Sequence, residues 1–210
     1  MSSVGKFITF EGGEGAGKST QVGLLAARLE AHGRRALKLR EPGGTALGEQ
    51  LRDLLKSRET LDLAVSTEAL LFAACRAQLV GEVIHPQLQQ GTFVLCDRFI
   101  DSTVAYQSGG RGLDRALIVA ANRLACGTVQ PDLTVLLDLD PSHGLGRASI
   151  RDHGKHDRFE ALGEDFHRKV RAVYHELAAA EPQRFLVLDA TRDPQTLSEE
   201  IWHEVVRRFR

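Results

Sequence analysis

Apolar residues gather in short runs at 4–10, 36–39, 92–96, 133–139 and 185–188, rich in valine, leucine, isoleucine and phenylalanine. Runs this short and this apolar suit strands buried on both faces of a sheet. Between them the spacing changes. Leu47, Leu51, Leu54 and Leu55 follow helical spacing, as do Ala69, Leu70, Ala73, Ala77, Val80 and Ile84. Positions three and four apart lie on one face of a helix, so each set predicts an amphipathic helix. Similar patterns run through 117–124, 166–177 and 197–206. Five strands separated by helical crossovers predict an α/β fold: a five-stranded parallel sheet with helices on both faces. Asp140-Pro141-Ser142 reads as a helix start, with Asp140 as its cap. No internal repeat, low-complexity tract or long linker interrupts the pattern, so one domain over 1–210 is expected.

The most specific chemistry follows the first predicted strand. Gly12-Gly13-Glu14-Gly15-Ala16-Gly17-Lys18-Ser19 matches G-x-x-x-x-G-K-[ST], and Val22, Leu25, Ala26 and Leu29 give the helix behind it. Glycines let the backbone fold back so that its N–H groups point at an anion, at the positive end of a helix. Lys18 then reaches the β- and γ-phosphates, and the Ser19 hydroxyl ligates Mg²⁺. The sheet is therefore expected to be P-loop NTPase-like, with Gly12, Gly13, Glu14, Gly15, Ala16, Gly17, Lys18, Ser19 and Thr20 binding ATP.

Bulk composition narrows the partners. The chain has 210 residues, 42% hydrophobic and 26% charged, with a net charge of −1. Nothing in that balance calls for nucleic-acid or membrane binding by bulk electrostatics. Cys75, Cys96 and Cys126 stand far apart in apolar surroundings and read as small buried thiols. With no secretory signal pattern and no apolar run of membrane-spanning length, a cytoplasmic protein is expected.

A phosphate loop alone does not separate kinases from ATPases, GTPases or motors. The discrimination has to come from the strand ends, since ligands of such sheets gather at the carboxyl edge. The third strand ends in Asp97-Arg98, where a water-activating enzyme commonly has a second acid; the arginine suits an anionic second substrate. Arg40-Glu41-Pro42-Gly43-Gly44 puts another cation at the same edge. Phe72 and Arg76 are one helical turn apart, so a ring that stacks a flat base lies beside a guanidinium that bonds its edge. A buried core phenylalanine and a solvated arginine is the competing reading. Glu14 is repelled by phosphates and is expected to point away from them, toward a neutral hydroxyl donor. Residues 144–160 carry Arg147, Arg151, Lys155 and Arg158 with little apolar content, which predicts a small mobile lid. Asp152-His153 and His156-Asp157 superficially resemble metal ligands, but the cations around them disfavour a metal. A small-molecule kinase acting on a nucleoside or a different monophosphate remains open here, as does a nucleotide-dependent switch or scaffold, although no N-K-x-D motif supports guanine reading.

Taken in order, F-E-G-G-E-G-A-G-K-S-T, R-E-P-G-G-T, L-F-A-A-C-R-A-Q, D-R-F-I-D-S-T-V-A-Y-Q-S-G-G-R-G, Q-P-D-L-T and D-R-F-E make the chain resemble the bacterial thymidylate kinase family over nearly its whole length. The resemblance implies transfer of the ATP γ-phosphoryl group to thymidine monophosphate (dTMP), with Mg²⁺ and usually as a homodimer. It implies an acceptor phosphate near Arg40 and Arg98, thymine stacked on Phe72, and its edge read by Arg76 and Thr103 with Gln107 nearby. Tyr106 matches the tyrosine that crowds the sugar, Glu14 the acid that meets the 3′-hydroxyl, and Asp97 the acid near Mg²⁺ and the moving phosphoryl group. With Lys18 and Asp97, Arg151 completes the implied catalytic set as the lid arginine. Asp189-Ala190-Thr191 matches a loop beside the adenine. Phe99 and Ser108 depart from residues common in the family, and the lid after Arg151 is slightly longer than in some relatives.

Overall fold

A computed structural model describes residues 5–56, 62–151 and 158–209, with the side chain of Arg151 excluded. Its five strands are β1 (Lys6–Glu11), β2 (Ala36–Arg40), β3 (Phe93–Asp97), β4 (Leu133–Asp138) and β5 (Phe185–Asp189). All pair in parallel, in the order β2-β3-β1-β4-β5. The predicted runs were close but ended on apolar residues. Each real strand instead ends on a charged one: Glu11, Arg40, Asp97, Asp138 and Asp189. In β1, β2, β3 and β5 the ladder runs one residue past the last apolar side chain, which hydropathy does not register, whereas β4 stops at Asp138, one residue short of the apolar Leu139. The register sets Phe10 and Arg40 opposite Asp97, so the charged ends meet at one edge of the sheet.

Strand alternation divides the core. Ile8 and Phe10 face α1 (Lys18–Ala31) and α9 (Pro194–Arg208), packing with Leu25, Leu29, Ile201 and Val205. Phe7, Thr9 and Glu11 alternate with them and so take the opposite face. There lie α3 (Val65–Leu79), α6 (Arg115–Cys126) and α8 (Glu164–Ala180). α2 (Ala46–Lys56) packs on α3. The single periodic stretch over 69–84 is one helical run, in which α3 passes through a π-turn (Val80–Ile84) into α4 (His85–Gln89). After β3 the chain forms α5 (Ile100–Thr103) and a second π-turn (Val104–Gly110), helical structure that the sequence pattern did not predict. Asp132 of Q-P-D-L-T accepts the Phe7 N–H at 2.8 Å, so that motif fastens the start of the sheet.

The segment 144–160 was expected to pack poorly, and its first part instead packs as a helix. Residues 141–151 form α7 (Pro141–Arg151), with Asp140 capping it through the Ser142 N–H at 3.1 Å. Small residues make it pack: a Cβ on Gly144 would lie 2.3 Å from the Glu14 carbonyl oxygen, and Ala148 has no exposure. Hydropathy sees small residues as featureless, whereas close helix approach requires them. Residues 152–157, with Asp152-His153 and His156-Asp157, lie outside the described residues. Among the described residues no helix is long and apolar enough to cross a membrane. The three cysteines are free and buried.

Candidate active site

The phosphate loop is shaped by close backbone contacts. Gly12 has φ 132°, and a Cβ there would lie 2.3 Å from the Leu137 carbonyl oxygen. Gly15 has φ 65° and touches Gly144 just as closely, so α7 rests on the loop. No described side chain caps α1, which leaves the N–H groups of its first turn for an anion. Lys18 curls into the loop, with Nζ 2.6 Å from the Gly13 carbonyl and 3.2 Å from that of Gly12. Burial first, and then the Arg98 charge, bring its ammonium down to about 8 despite the nearby acids. A phosphate would reverse that pressure. The Ser19 hydroxyl donates to Asp97 Oδ2 at 2.5 Å, joining the loop to the end of β3. A hydroxyl and a carboxylate oxygen at the loop mouth are hard donors, and they fit a small divalent cation such as Mg²⁺.

A cleft of about 990 Å³ opens from this loop toward the turn after β2, α3 and the helical stretch after β3. Arg98 lines it and has φ 70°, the one non-glycine residue with positive φ among those described. Its N–H bonds the Phe10 carbonyl at 2.9 Å. Its guanidinium reaches the Gly12 carbonyl at 3.1 Å and Glu14 Oε1 at 2.6 Å, and lies 4.9 Å from the Tyr106 ring centre. Glu14 also accepts the Tyr106 hydroxyl at 3.0 Å. The expected hydroxyl partner is thus a protein tyrosine, joined by an arginine that the charge argument did not foresee. Burial pushes the Glu14 carboxyl up, but Arg98, Lys18 and the Tyr106 hydrogen bond outweigh it and hold it at about 2.

Glu68, Phe72 and Arg76 occupy successive turns of one α3 face. Phe72 lines the cleft with the edge of the Phe159 ring against it at 5.7 Å. Arg76 is not solvated; it is 1% exposed. Nε and Nη2 donate to Glu41 Oε2 at 2.9 and 2.5 Å, Nη2 to the Phe99 carbonyl at 3.1 Å, and Nη1 to Asn122 Oδ1 at 2.7 Å. These contacts use four of its five N–H groups and leave one on Nη1 for a ligand. Truncating Arg76 would strand the buried Glu41 carboxylate, so such a variant tests the fold as much as the site. Thr103 and Gln107 line the same cleft, and Gln107 Nε2 donates to Glu68 Oε1 at 3.0 Å. Arg40 sits at the rim, paired with Glu49 at 2.8 Å.

The fold therefore brings every sequence-expected residue from Glu14 to Gln107 onto one cleft. Gly12 and Gly13 contribute through their carbonyls to Lys18. Arg151 ends α7, and its side chain lies outside the described residues. One turn before it, Arg147 lines the cleft and donates to the Ala190 carbonyl at 3.1 Å. Sequence reasoning missed Glu11, Glu41, Glu68, Asn122 and Phe159. Glu68 was findable one turn before Phe72, and Glu41 lay inside a recognised motif. Asn122 carried no local signal.

A thymidylate kinase family model matches residues 10–201. A thymidylate kinase of Solidesulfovibrio magneticus is 52% identical over 201 residues, covering 93% of this chain and 96% of that protein. One from Deinococcus radiodurans is 51% identical over 210 residues, covering 98% of each. The crystal structure of thymidylate kinase from Ehrlichia chaffeensis superposes with a TM-score of 0.78 at 34% identity, over 95% of this chain and 97% of that one. The chain belongs to the thymidylate kinase family, a family of ATP-dependent phosphotransferases.

Proposed function

We propose that the γ-phosphoryl group of ATP passes to dTMP within this cleft, giving dTDP and ADP on the way to dTTP. One observation carries the reading: the phosphate loop with Lys18, the Phe72–Arg76 face and Arg98 line a single cavity. The backbone N–H groups of Gly13 to Thr20 and Lys18 receive the ATP phosphates. Ser19 and Asp97 would hold Mg²⁺, which when bound would neutralise negative charge on the phosphates. Arg40 and Arg98 take the acceptor phosphate, Phe72 stacks the base, and Arg76 and Thr103 read its edge beside Gln107. Glu14 meets the 3′-hydroxyl, and Tyr106, fixed by Glu14 and Arg98, crowds the place of a 2′-hydroxyl. The attacking phosphate oxygen is already ionised at neutral pH, so no strong base is required. Catalysis is positioning and charge stabilisation.

The platform is one ring wide, and Arg76 offers it a single remaining donor. Steady-state ADP release with each nucleoside monophosphate should rank dTMP first, dUMP below it and purine monophosphates far behind. Equal kcat/KM for dTMP and dGMP would sink the assignment.

The protein is also proposed to act as a homodimer in the cytoplasm. Leu70, Ala74 and Ala77 on α3, and Leu117, Ala120 and Leu124 on α6, form exposed stripes at helical spacing on two helices that pack side by side. Leu70, Leu117 and Leu124 are 64%, 67% and 89% exposed. Apolar helix faces left open in this way suit burial against a second copy. Leu124→Glu should sediment as a monomer where the parent sediments as a dimer; a monomeric parent would refute the proposal.

A further inference from the structure

We infer that Glu11 is a positioning residue for Arg98, holding both the turn that carries this arginine and the hydroxyls against which its guanidinium rests. The inference rests on the reading of Arg98 as a receiver of the acceptor phosphate. It concerns a residue that is not among those lining the cleft.

Strand alternation alone puts Glu11 in an apolar place. It follows Phe7 and Thr9 on the buried face of β1 and has no exposure. Its Oε1 accepts the Phe99 N–H at 2.7 Å. Its Oε2 accepts the Ser102 hydroxyl at 2.5 Å and the Tyr174 hydroxyl at 3.0 Å. One carboxylate thus ties β1 to the turn after β3, to α5 and to α8.

Each of these bonds bears on Arg98. Its left-handed backbone is unfavourable for a residue with a side chain, and it persists only where its surroundings fix it. The peptide on its amino side is held by the Phe10 carbonyl, and the one on its carboxyl side by Glu11. Arg98 Nη1 also lies 3.3 Å from Ser102 Oγ and 3.5 Å from the Tyr174 hydroxyl oxygen. A hydroxyl that gives its proton to the carboxylate keeps its lone pairs for the guanidinium. The two hydroxyls also lie 2.8 Å from each other, so Glu11 is the proton acceptor that orders the pair and leaves oxygen lone pairs facing Arg98. A glutamine with its amide nitrogen at Oε2 would donate there and turn the hydroxyl protons toward the arginine.

Space-filling does not explain an acid at this position. Burial first, and then the neighbouring Asp101, push the Glu11 carboxyl up to about 7, with Ser102, Arg98 and the Phe99 N–H opposing. An apolar side chain would fill the same volume without that desolvation penalty.

Calorimetric dissociation constants for dTMP and for ATP, together with kcat and the melting temperature, test the role in Glu11→Gln, Tyr174→Phe and Arg98→Ala. Glu11→Gln should weaken dTMP about tenfold, the loss of one charge-assisted hydrogen bond, while ATP affinity stays within about twofold. Tyr174→Phe should move dTMP in the same direction by less, and the double variant should fall short of the product of the two. A lower melting temperature with unchanged dTMP affinity in Glu11→Gln would overturn the inference. Should that variant fail to fold, unchanged dTMP affinity in Tyr174→Phe overturns it equally. The underlying reading fails separately, if Arg98→Ala binds dTMP as the parent does.

Discussion

Lys18→Met is expected to reduce turnover to undetectable levels in a protein that still folds. Methionine matches the length of the lysine stem and suits the buried place that Lys18 occupies. The two carbonyls it leaves, those of Gly12 and Gly13, belong to a loop held independently by close contacts with Leu137 and Gly144. Circular dichroism should therefore be unchanged. The loss falls on catalysis, because the ammonium is the fixed positive charge that a polarised phosphate loop supplies. Removing one such preorganised group costs about 10²–10³ in kcat in other enzymes, and here it also empties the loop of its only cation. Acceptor binding should survive if that phosphate is received, as proposed, by Arg40 and Arg98. Calorimetry showing equal losses of dTMP and ATP affinity would count against separate sites.

Arg151→Ala is expected to lower kcat by at least about a hundredfold, in line with the 10³–10⁵ carried by arginines that meet the transferring phosphoryl group. The phosphate loop itself supplies no arginine: its variable positions are Gly13, Glu14, Gly15 and Ala16. The missing charge has to come from an element that reaches the loop, and α7 does so, packed on it through Gly144. Arg147 already lines the cleft but is bonded to the Ala190 carbonyl, and Arg151 follows it by one helical turn. KM for both substrates should move much less than kcat, as for an interaction made mainly in the transition state. Arg147→Ala is the comparison variant. A near-normal kcat in Arg151→Ala would mark that residue as a solvated helix end.

How far the chain could be read depended on whether the signal was local. The phosphate loop is local: its glycines, lysine and serine act through backbone geometry within eight residues, so their positions were evident without a fold. The five apolar runs were evident for the same reason, though each strand end was misplaced by a residue. The packing of α7 was not legible because glycine and alanine carry little hydropathy, and Gly144 packs on Glu14, more than a hundred residues away. Phe72 and Arg76 were found by helical spacing. That spacing could not tell a solvated arginine from one buried against Glu41 and Asn122, which come from β2's trailing turn and from α6.

The sequence by itself determined the α/β class, the phosphate loop and the family, because these rest on spacings within single segments and on motif order. Only the tertiary structure decided the charge partnerships. Glu14 meets Arg98 across 84 positions, Arg76 meets Glu41 across 35, and Glu11 meets Tyr174 across 163. A buried carboxylate is tolerable only where a cation or several N–H and O–H donors converge on it, and that convergence is a property of the sheet's register and helix packing. No one-dimensional pattern encodes it.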